Sequence, residues 1–119
     1  IDNYSENLEI VNKLYEELNE ADLVILGMGA DGHTASIFPR DEQSIKCIQD
    51  QSPLVRNTNA PSNPKRRLSL NKAFISNAKH IFLMIIGDHK RQVFIQSDAD
   101  KYPIHCFKED ISEVYFTTN

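Results

Sequence analysis

The sequence predicts an α/β domain in which helices flank an open, mostly parallel sheet. Two apolar runs, Leu23–Leu26 and Ile81–Ile86, lack the alternation of a half-exposed strand, which is typical of strands buried on both faces of a parallel sheet. Each run ends at a glycine that is followed by polar residues. Segments with helical spacing lie before, between and after the runs, and this order favours parallel strands.

The N-terminal part of the chain predicts two helices around the first strand. Apolar residues recur at i, i+3, i+4 and i+7 over Tyr4–Leu18, so we expect a helix there. The strand over Leu23–Leu26 follows. The next helix is expected to begin near Gly32 or His33 and to end after about two turns, because Pro39 has no N–H to continue it.

The rest of the chain predicts short elements. Asp41–Gln51 is polar with weak periodicity, and Ser52–Pro64 holds three of the five prolines, which predicts an irregular connection. Beyond it we expect an extended piece at Leu68–Leu70, a helix over Asn71–Asn77, a strand over His80–Ile86, a helix over Lys90–Gln96 capped by Asp88, a loop over Ser97–Lys101, and short strands over Pro103–Phe107 and Val114–Phe116.

Two loops are expected to line one crevice. In open α/β sheets, ligands bind beyond the carboxyl ends of the strands. Gly27–Ser36 follows the first predicted strand and Gly87–Arg91 follows the second. If these strands are neighbours, both loops lie at the same edge of the sheet.

Composition excludes several classes of protein. With 119 residues, 40% of them apolar, the chain is long enough for one domain with a core. The longest apolar run has six residues, far short of the ~20 that a membrane-spanning helix needs. The net charge of −4 argues against a nucleic-acid partner, which requires a basic surface. Cys47 and Cys106 form no C-x-x-C motif, so we expect free thiols in a reducing, cytoplasmic compartment.

The glycines are concentrated in one place. Three of the four, Gly27, Gly29 and Gly32, fall within six residues, which indicates a loop of special shape. Their spacing matches the Gly-x-Gly-x-x-Gly motif of dinucleotide-binding domains, but Pro39 shortens the required helix and the next strong strand starts about fifty residues later. We therefore expect no nicotinamide or flavin cofactor. The four histidines lack zinc-site spacing, so no metal site is predicted.

The segment after the first strand carries a specific family resemblance. The string Gly-Ala-Asp-Gly-His-Thr-Ala-Ser-Ile-Phe-Pro over residues 29–39 resembles the signature of 6-phosphogluconolactonases, which share a fold with glucosamine-6-phosphate deaminases. Two later segments are also similar to that family. They are Arg67–Leu70, and Asn77–His80 with the strand, the glycine and Lys90 that follow. The resemblance covers most of Ala21–Lys90. It implies a Rossmann-type domain that hydrolyses 6-phospho-D-glucono-1,5-lactone to 6-phosphogluconate in the oxidative pentose phosphate pathway.

The resemblance assigns the proton chemistry to His33, as general base and then as acid toward the ring oxygen. An unperturbed histidine has a pKa of ~6.5 and exchanges protons near neutral pH, as lactone hydrolysis requires. Asp31 either orients His33 or closes the turn as an Asx residue. The N–H groups of Gly29 and Gly32 are expected to bind an oxyanion or the substrate phosphate, because a helix is expected to begin there.

The resemblance also implies that cations hold the substrate phosphate. Lys90 lies at the start of a predicted helix, where a lysine is electrostatically disfavoured unless an anion is bound. Arg67 is the second candidate, with a buried structural ion pair as the alternative. Many lactonases have a lysine before the segment that Arg67 begins. Ser62 stands in its place here, and Lys65 and Arg66 are the candidates to replace it.

The family's chains are about twice as long as this one. We therefore expect residues 1–119 to form a single, partial domain that corresponds to the family's C-terminal half. The N-terminal half would carry a glycine-rich phosphate loop and an arginine for the phosphate. By itself this chain is expected to be a poor enzyme and to self-associate or to pair with that half.

Two other functions stay open at this point. Glucosamine-6-phosphate deaminases have a similar motif, Asp-Gly-His-Ile-Ala-Phe-Asn-Glu-Pro, but its glutamate falls on Phe38 here, and an apolar ring cannot transfer a proton. The third hypothesis is a non-catalytic fragment that binds a sugar phosphate and needs its N-terminal half.

Overall fold

The computed structural model describes residues 4–96 and 101–118 as an α/β arrangement. The predicted helix over the first segment and the strands over both apolar runs are confirmed. The elements in chain order are α1 (Tyr4–Leu18), β1 (Leu23–Leu26), α2 (Glu42–Gln49), β2 (Val55–Asn59), β3 (Arg66–Leu70), α3 (Lys72–Ser76), β4 (His80–Ile86), α4 (Asp88–Ile95), a 3₁₀ helix (Pro103–Phe107) and β5 (Glu113–Thr117).

The main sheet has three parallel strands in the order β1-β4-β5. Leu26 of β1 pairs with Leu83 of β4, and Leu83 pairs in turn with Val114 of β5. The parallel sheet predicted from the two apolar runs is therefore confirmed. Because β1 and β4 are direct neighbours and run the same way, the loops that follow them leave the sheet at the same edge.

Only one face of this sheet is buried. Leu83 and Ile85 of β4 are inaccessible or nearly so, whereas Met84 between them is 52% exposed and Ile25 of β1 is 59% exposed. The expectation that both faces are buried is wrong for this chain. The reason is that α2, α3 and α4 all contribute to one core on the first face. The second face keeps its apolar side chains in the open.

A second, antiparallel sheet consists of β2 and β3. The expectation of an irregular connection over Ser52–Pro64 is wrong for Val55–Asn59, and α2 occupies a stretch that has only weak periodicity. Tertiary contacts stabilise both elements. The side chain of Asn12 on α1 accepts a hydrogen bond from the Val55 N–H at 2.8 Å and donates to the Val55 carbonyl at 2.9 Å. Asp41 caps α2 by accepting from the Ser44 N–H.

Three other expectations need correction. No helix forms between Gly32 and Pro39; the chain makes turns there, with a short bridge between Thr34 and Ile37. Pro103–Phe107 is a 3₁₀ helix and not a strand, because its proline starts a helical turn readily and has no N–H for a sheet. The fourth helix begins at Asp88, with Gly87 and not Asp88 as its cap, and ends at Ile95. The predicted loop at Ser97–Lys101 lies outside the described residues except for Lys101.

One buried asparagine joins α3 to the segment between α2 and β2. Asn71 is 1% exposed and caps α3, accepting the Phe74 N–H at 2.9 Å. Its amide group also donates to the carbonyls of Asp50, Gln51 and Pro53. This side chain therefore satisfies the backbone of the segment that links α2 to β2. In the described part of the chain, Cys47 and Cys106 form no disulfide bond. No helix there has the length and apolar character to cross a bilayer.

Candidate active site

The loop after β1 brings a carboxylate and an imidazole together. Asp31 Oδ1 lies 2.5 Å from Nδ1 of His33 and also accepts the His33 backbone N–H at 3.1 Å. Each side chain is about one-third exposed, at 34% for Asp31 and 32% for His33. Asp31 therefore does more than close the turn. It binds Nδ1 of the ring and leaves Nε2 as the nitrogen available for proton exchange.

The hydrogen bonds with His33 also set the charge of Asp31. Burial raises the pKa of this carboxyl, but the hydrogen bonds from the His33 ring and backbone N–H outweigh burial and hold the pKa below its ordinary value. Asp31 is therefore ionised at neutral pH. A carboxylate beside an imidazole stabilises the imidazolium that forms when the ring accepts a proton.

Two glycines shape this loop, each for a different reason. A Cβ on Gly29 would lie 2.2 Å from Cε1 of His33, so only glycine leaves room for the ring. Gly32 has a φ of +82°, in the left-handed region, and the Tyr102 ring occupies the space that a Cβ would need. Each glycine therefore serves the geometry of the Asp31–His33 pair.

The backbone N–H groups of these glycines have partners inside the loop. The Gly29 N–H donates to the His33 carbonyl at 2.9 Å, and the Gly32 N–H donates to the Gly29 carbonyl at 3.0 Å. We expected a helix N-terminus to present these N–H groups to an oxyanion. No helix starts here, so a helix N-terminus cannot be the reason for anion binding. The structure uses these N–H groups to close the turn that presents His33.

The predicted phosphate ligand Arg67 and His33 both contact the same aromatic ring, that of Phe38. Its Cζ lies 5.5 Å from the centroid of the Phe38 ring, and the same ring lies 4.8 Å from the His33 ring, centroid to centroid. Arg67 Nε donates to the Pro64 carbonyl at 2.6 Å, so the connection between β2 and β3 orients the side chain. Among the described residues, no ion pair is observed for Arg67.

Lys90 lies in the first turn of α4, directly beyond β4, and is half-buried. It therefore belongs to the same edge of the sheet as the Asp31–His33 pair, although none of the contacts described for the chain joins it to that pair. Ser62 and Lys65 are exposed in the connection between β2 and β3, and Arg66 is the exposed first residue of β3. A phosphate role for Lys90, Lys65 or Arg66 stays a prediction.

Sequence reasoning missed two aromatic residues of the site. Tyr102 packs against Gly32 from seventy positions away, and no local pattern announces that contact. Phe38 is 3% exposed and contacts both His33 and Arg67. Its signal was a large aromatic residue directly before a proline, five positions after His33. Among the residues that the structure describes, no group of three or more histidine, cysteine or acidic side chains is arranged to hold a metal ion.

Comparison with protein families decides where the chain belongs. The model of a family described as glucosamine-6-phosphate isomerases/6-phosphogluconolactonase matches residues 1–116. The chain belongs to this family. Among curated members, 6-phosphogluconolactonase of Neisseria meningitidis serogroup A is 34% identical over 100 residues, which are 81% of this chain and 43% of that protein. The human GDH/6PGL endoplasmic bifunctional protein is 46% identical over 88 residues, 70% of this chain and 11% of that protein.

Solved structures of the family agree. A 6-phosphogluconolactonase from Shewanella baltica superposes with a TM-score of 0.69 at 32% identity, covering 80% of this chain and 42% of that one. The Thermotoga maritima 6-phosphogluconolactonase superposes with a TM-score of 0.71 over 95% of this chain and 50% of its own; at 24% identity it supports the lactonase fold alone. The chain spans 43% and 51% of the length of two curated 6-phosphogluconolactonases that it matches, those of Neisseria meningitidis and Helicobacter pylori.

Proposed function

We propose that the protein hydrolyses 6-phospho-D-glucono-1,5-lactone to 6-phosphogluconate, with His33 as the proton-transfer residue. The observation that carries the proposal is the Asp31–His33 pair, joined at 2.5 Å on the loop beyond a parallel strand. Family membership supports the same reaction, because curated relatives that match most of this chain are named 6-phosphogluconolactonase.

The pair can perform both proton transfers of the reaction. As a water oxygen attacks the lactone carbonyl, Nε2 of His33 takes the proton from that water, and a tetrahedral intermediate forms. When the intermediate collapses, the bond between the carbonyl carbon and the ring oxygen breaks, and His33 returns the proton to that oxygen. Asp31 keeps the ring in the required tautomer and balances its transient positive charge.

The substrate phosphate needs cations. Arg67 lies beside the Phe38 ring that contacts His33, and Lys90 follows β4 at the edge of the sheet where the loop of His33 also leaves it. We propose that Arg67 and Lys90 bind the phosphate, with Gly29 and Gly32 shaping the loop that holds the base. A lysine at a helix start is stabilised when an anion binds nearby, and an arginine forms paired hydrogen bonds to phosphate. Asp31 borders an open cavity of about 280 Å³, also lined by Pro39, Arg40 and Pro61, beside which the lactone would lie.

The deaminase alternative is not favoured. Its glutamate position is held by Phe38, which is buried against His33 and has no proton to exchange.

The non-catalytic alternative depends on the remainder of the domain. The apolar residues exposed on the second face of the sheet support self-association or pairing with an N-terminal half. We further propose a role in the pentose phosphate pathway, which follows from the proposed reaction, and a cytoplasmic location, which is consistent with two cysteines that form no disulfide.

The test is lactone hydrolysis by the full-length protein. His33→Asn should lower kcat by roughly 10²–10⁴-fold, the usual contribution of a positioned acid–base group. His80→Asn is the matched control, because His80 is an exposed histidine at the start of β4 and should leave kcat unchanged. A loss below about threefold in a folded His33→Asn protein would contradict the assignment. Turnover of glucosamine 6-phosphate in place of the lactone would favour the deaminase.

A further inference from the structure

Phe38 occupies a central position that the family signature does not explain. Its side chain is 3% exposed although it lies outside the helices and strands. Its ring lies 4.8 Å from the His33 ring with a 40° angle between the planes, and it carries the Arg67 guanidinium 5.5 Å from its centroid. One apolar ring therefore touches both the proposed base and a proposed phosphate ligand.

The backbone of Phe38 is anchored independently of those contacts. Its N–H donates to Ser44 Oγ at 2.8 Å, in a bond that is fully buried. Ser44 Oγ donates in turn to Asp41 Oδ2 at 2.7 Å, and Asp41 also accepts the side-chain and backbone N–H groups of Asn59 at 3.0 Å each. The N-cap of α2 and the end of β2 therefore fix where the Phe38 ring stands.

His33 needs such a second contact. The imidazole turns about its Cβ–Cγ bond, and the hydrogen bond from Nδ1 to Asp31 restrains this rotation at one edge of the ring. Any rotation that remains moves Nε2. A tilted ring at 4.8 Å falls within the 4.5–7 Å range of favourable aromatic pairs, so it holds the plane. A phenyl ring also attracts a cation within about 6 Å of its centroid, and the Arg67 guanidinium lies at 5.5 Å.

We infer that Phe38 is a positioning residue, whose ring sets the direction of the His33 Nε2 atom and the place of Arg67 relative to it. The expected change in kcat rests on the proposed lactonase function. The expected change in the orientation of the His33 ring does not. The inference requires an aromatic ring at position 38 to orient His33, and an aliphatic side chain of similar size would not replace it.

The experiment compares three variants of the full-length protein. Phe38→Leu removes the ring and keeps an apolar side chain, whereas Phe38→Tyr keeps the ring. Phe74→Leu is the matched control, because Phe74 is 4% exposed and packs its ring against Tyr15, in a different part of the core. Two readouts are taken: kcat with its pH profile, and the ¹⁵N and ¹H NMR signals of the His33 ring, which need no substrate.

Phe38→Leu should lower kcat about 10- to 100-fold, the scale of a displacement of the reacting group by about 1 Å, and should shift or broaden the His33 ring signals. Phe38→Tyr should recover most of both, and Phe74→Leu should change neither. Unchanged His33 signals in a folded Phe38→Leu protein, or equal losses in the Leu and Tyr variants, would overturn the inference. If the wild type lacks lactonase activity but the signals change as expected, the positioning inference stands and the proposed function falls.

Discussion

Replacing Gly29 by alanine is the sharpest perturbation that the structure offers, because it adds one methyl group at the base itself. The new Cβ would lie 2.2 Å from Cε1 and 2.3 Å from Nδ1 of His33, and 2.9 Å from Oδ1 of Asp31. Ordinary contact begins near 3.4 Å, so the imidazole has to withdraw by about 1 Å, and the Asp31–His33 hydrogen bond is lost or bent.

The expected cost is kinetic. A displacement of about 1 Å of a reacting group lowers the rate about 10²-fold, so Gly29→Ala should reduce kcat by that order and change KM much less. Because Gly29 does not have a left-handed backbone conformation, alanine itself is tolerated there, and the clash with His33 dominates the effect. The assay is the initial rate of lactone hydrolysis by the full-length protein, corrected for spontaneous hydrolysis.

Gly27→Ala supplies the matched control. Gly27 lies in the same loop, and a Cβ there meets no atom within 4 Å, so this variant should keep wild-type kcat. The reasoning would be refuted if Gly29→Ala, folded and with the same thermal midpoint as Gly27→Ala, kept kcat within about threefold of it. Such a result would mean that the position of His33 does not limit the reaction.

Four further outcomes are expected. Although burial raises the pKa of Asp31, the hydrogen bonds from His33 hold this pKa below its ordinary value, so the pairing stabilises the fold at neutral pH. That contribution is lost as the pH falls below about 4, so the thermal midpoints of wild type and Asp31→Asn should converge there. Asn71→Ala should cost about 2–3 kcal/mol in urea unfolding, since it removes a helix cap and three hydrogen bonds from a buried amide to backbone carbonyls. Burial raises the pKa of Cys47 to about 11, so iodoacetamide should label Cys106 before Cys47, with the order abolished in denaturant. Exhaustive chelation should leave lactone hydrolysis unchanged, and restoration of a lost activity by zinc would contradict the metal-free mechanism.

The sequence by itself determined the two neighbouring parallel strands of the main sheet, β1 and β4, and the pair of residues that we propose for proton transfer. Leu23–Leu26 and Ile81–Ile86 are continuous apolar runs, and such runs form parallel strands when helices intervene. The string around Asp31 and His33 was sufficient to indicate the pair, since two residues separated by one glycine meet through local turn geometry alone. Interactions of this kind can be predicted from sequence because they depend only on residues that are adjacent in the chain.

Tertiary structure decided which surfaces are covered and how the base is held. Val55–Asn59 is a strand because Asn12 and β3 bind it, although its own composition predicts a connection. Ile25 and Met84 look like core residues in sequence, yet their face of the sheet is open in this chain. The contacts of Tyr102 with Gly32 and of Arg67 with Phe38 join residues far apart in the chain. No periodicity or motif encodes such pairs, because they depend on how whole elements pack and not on the preference of any segment for helix, strand or turn.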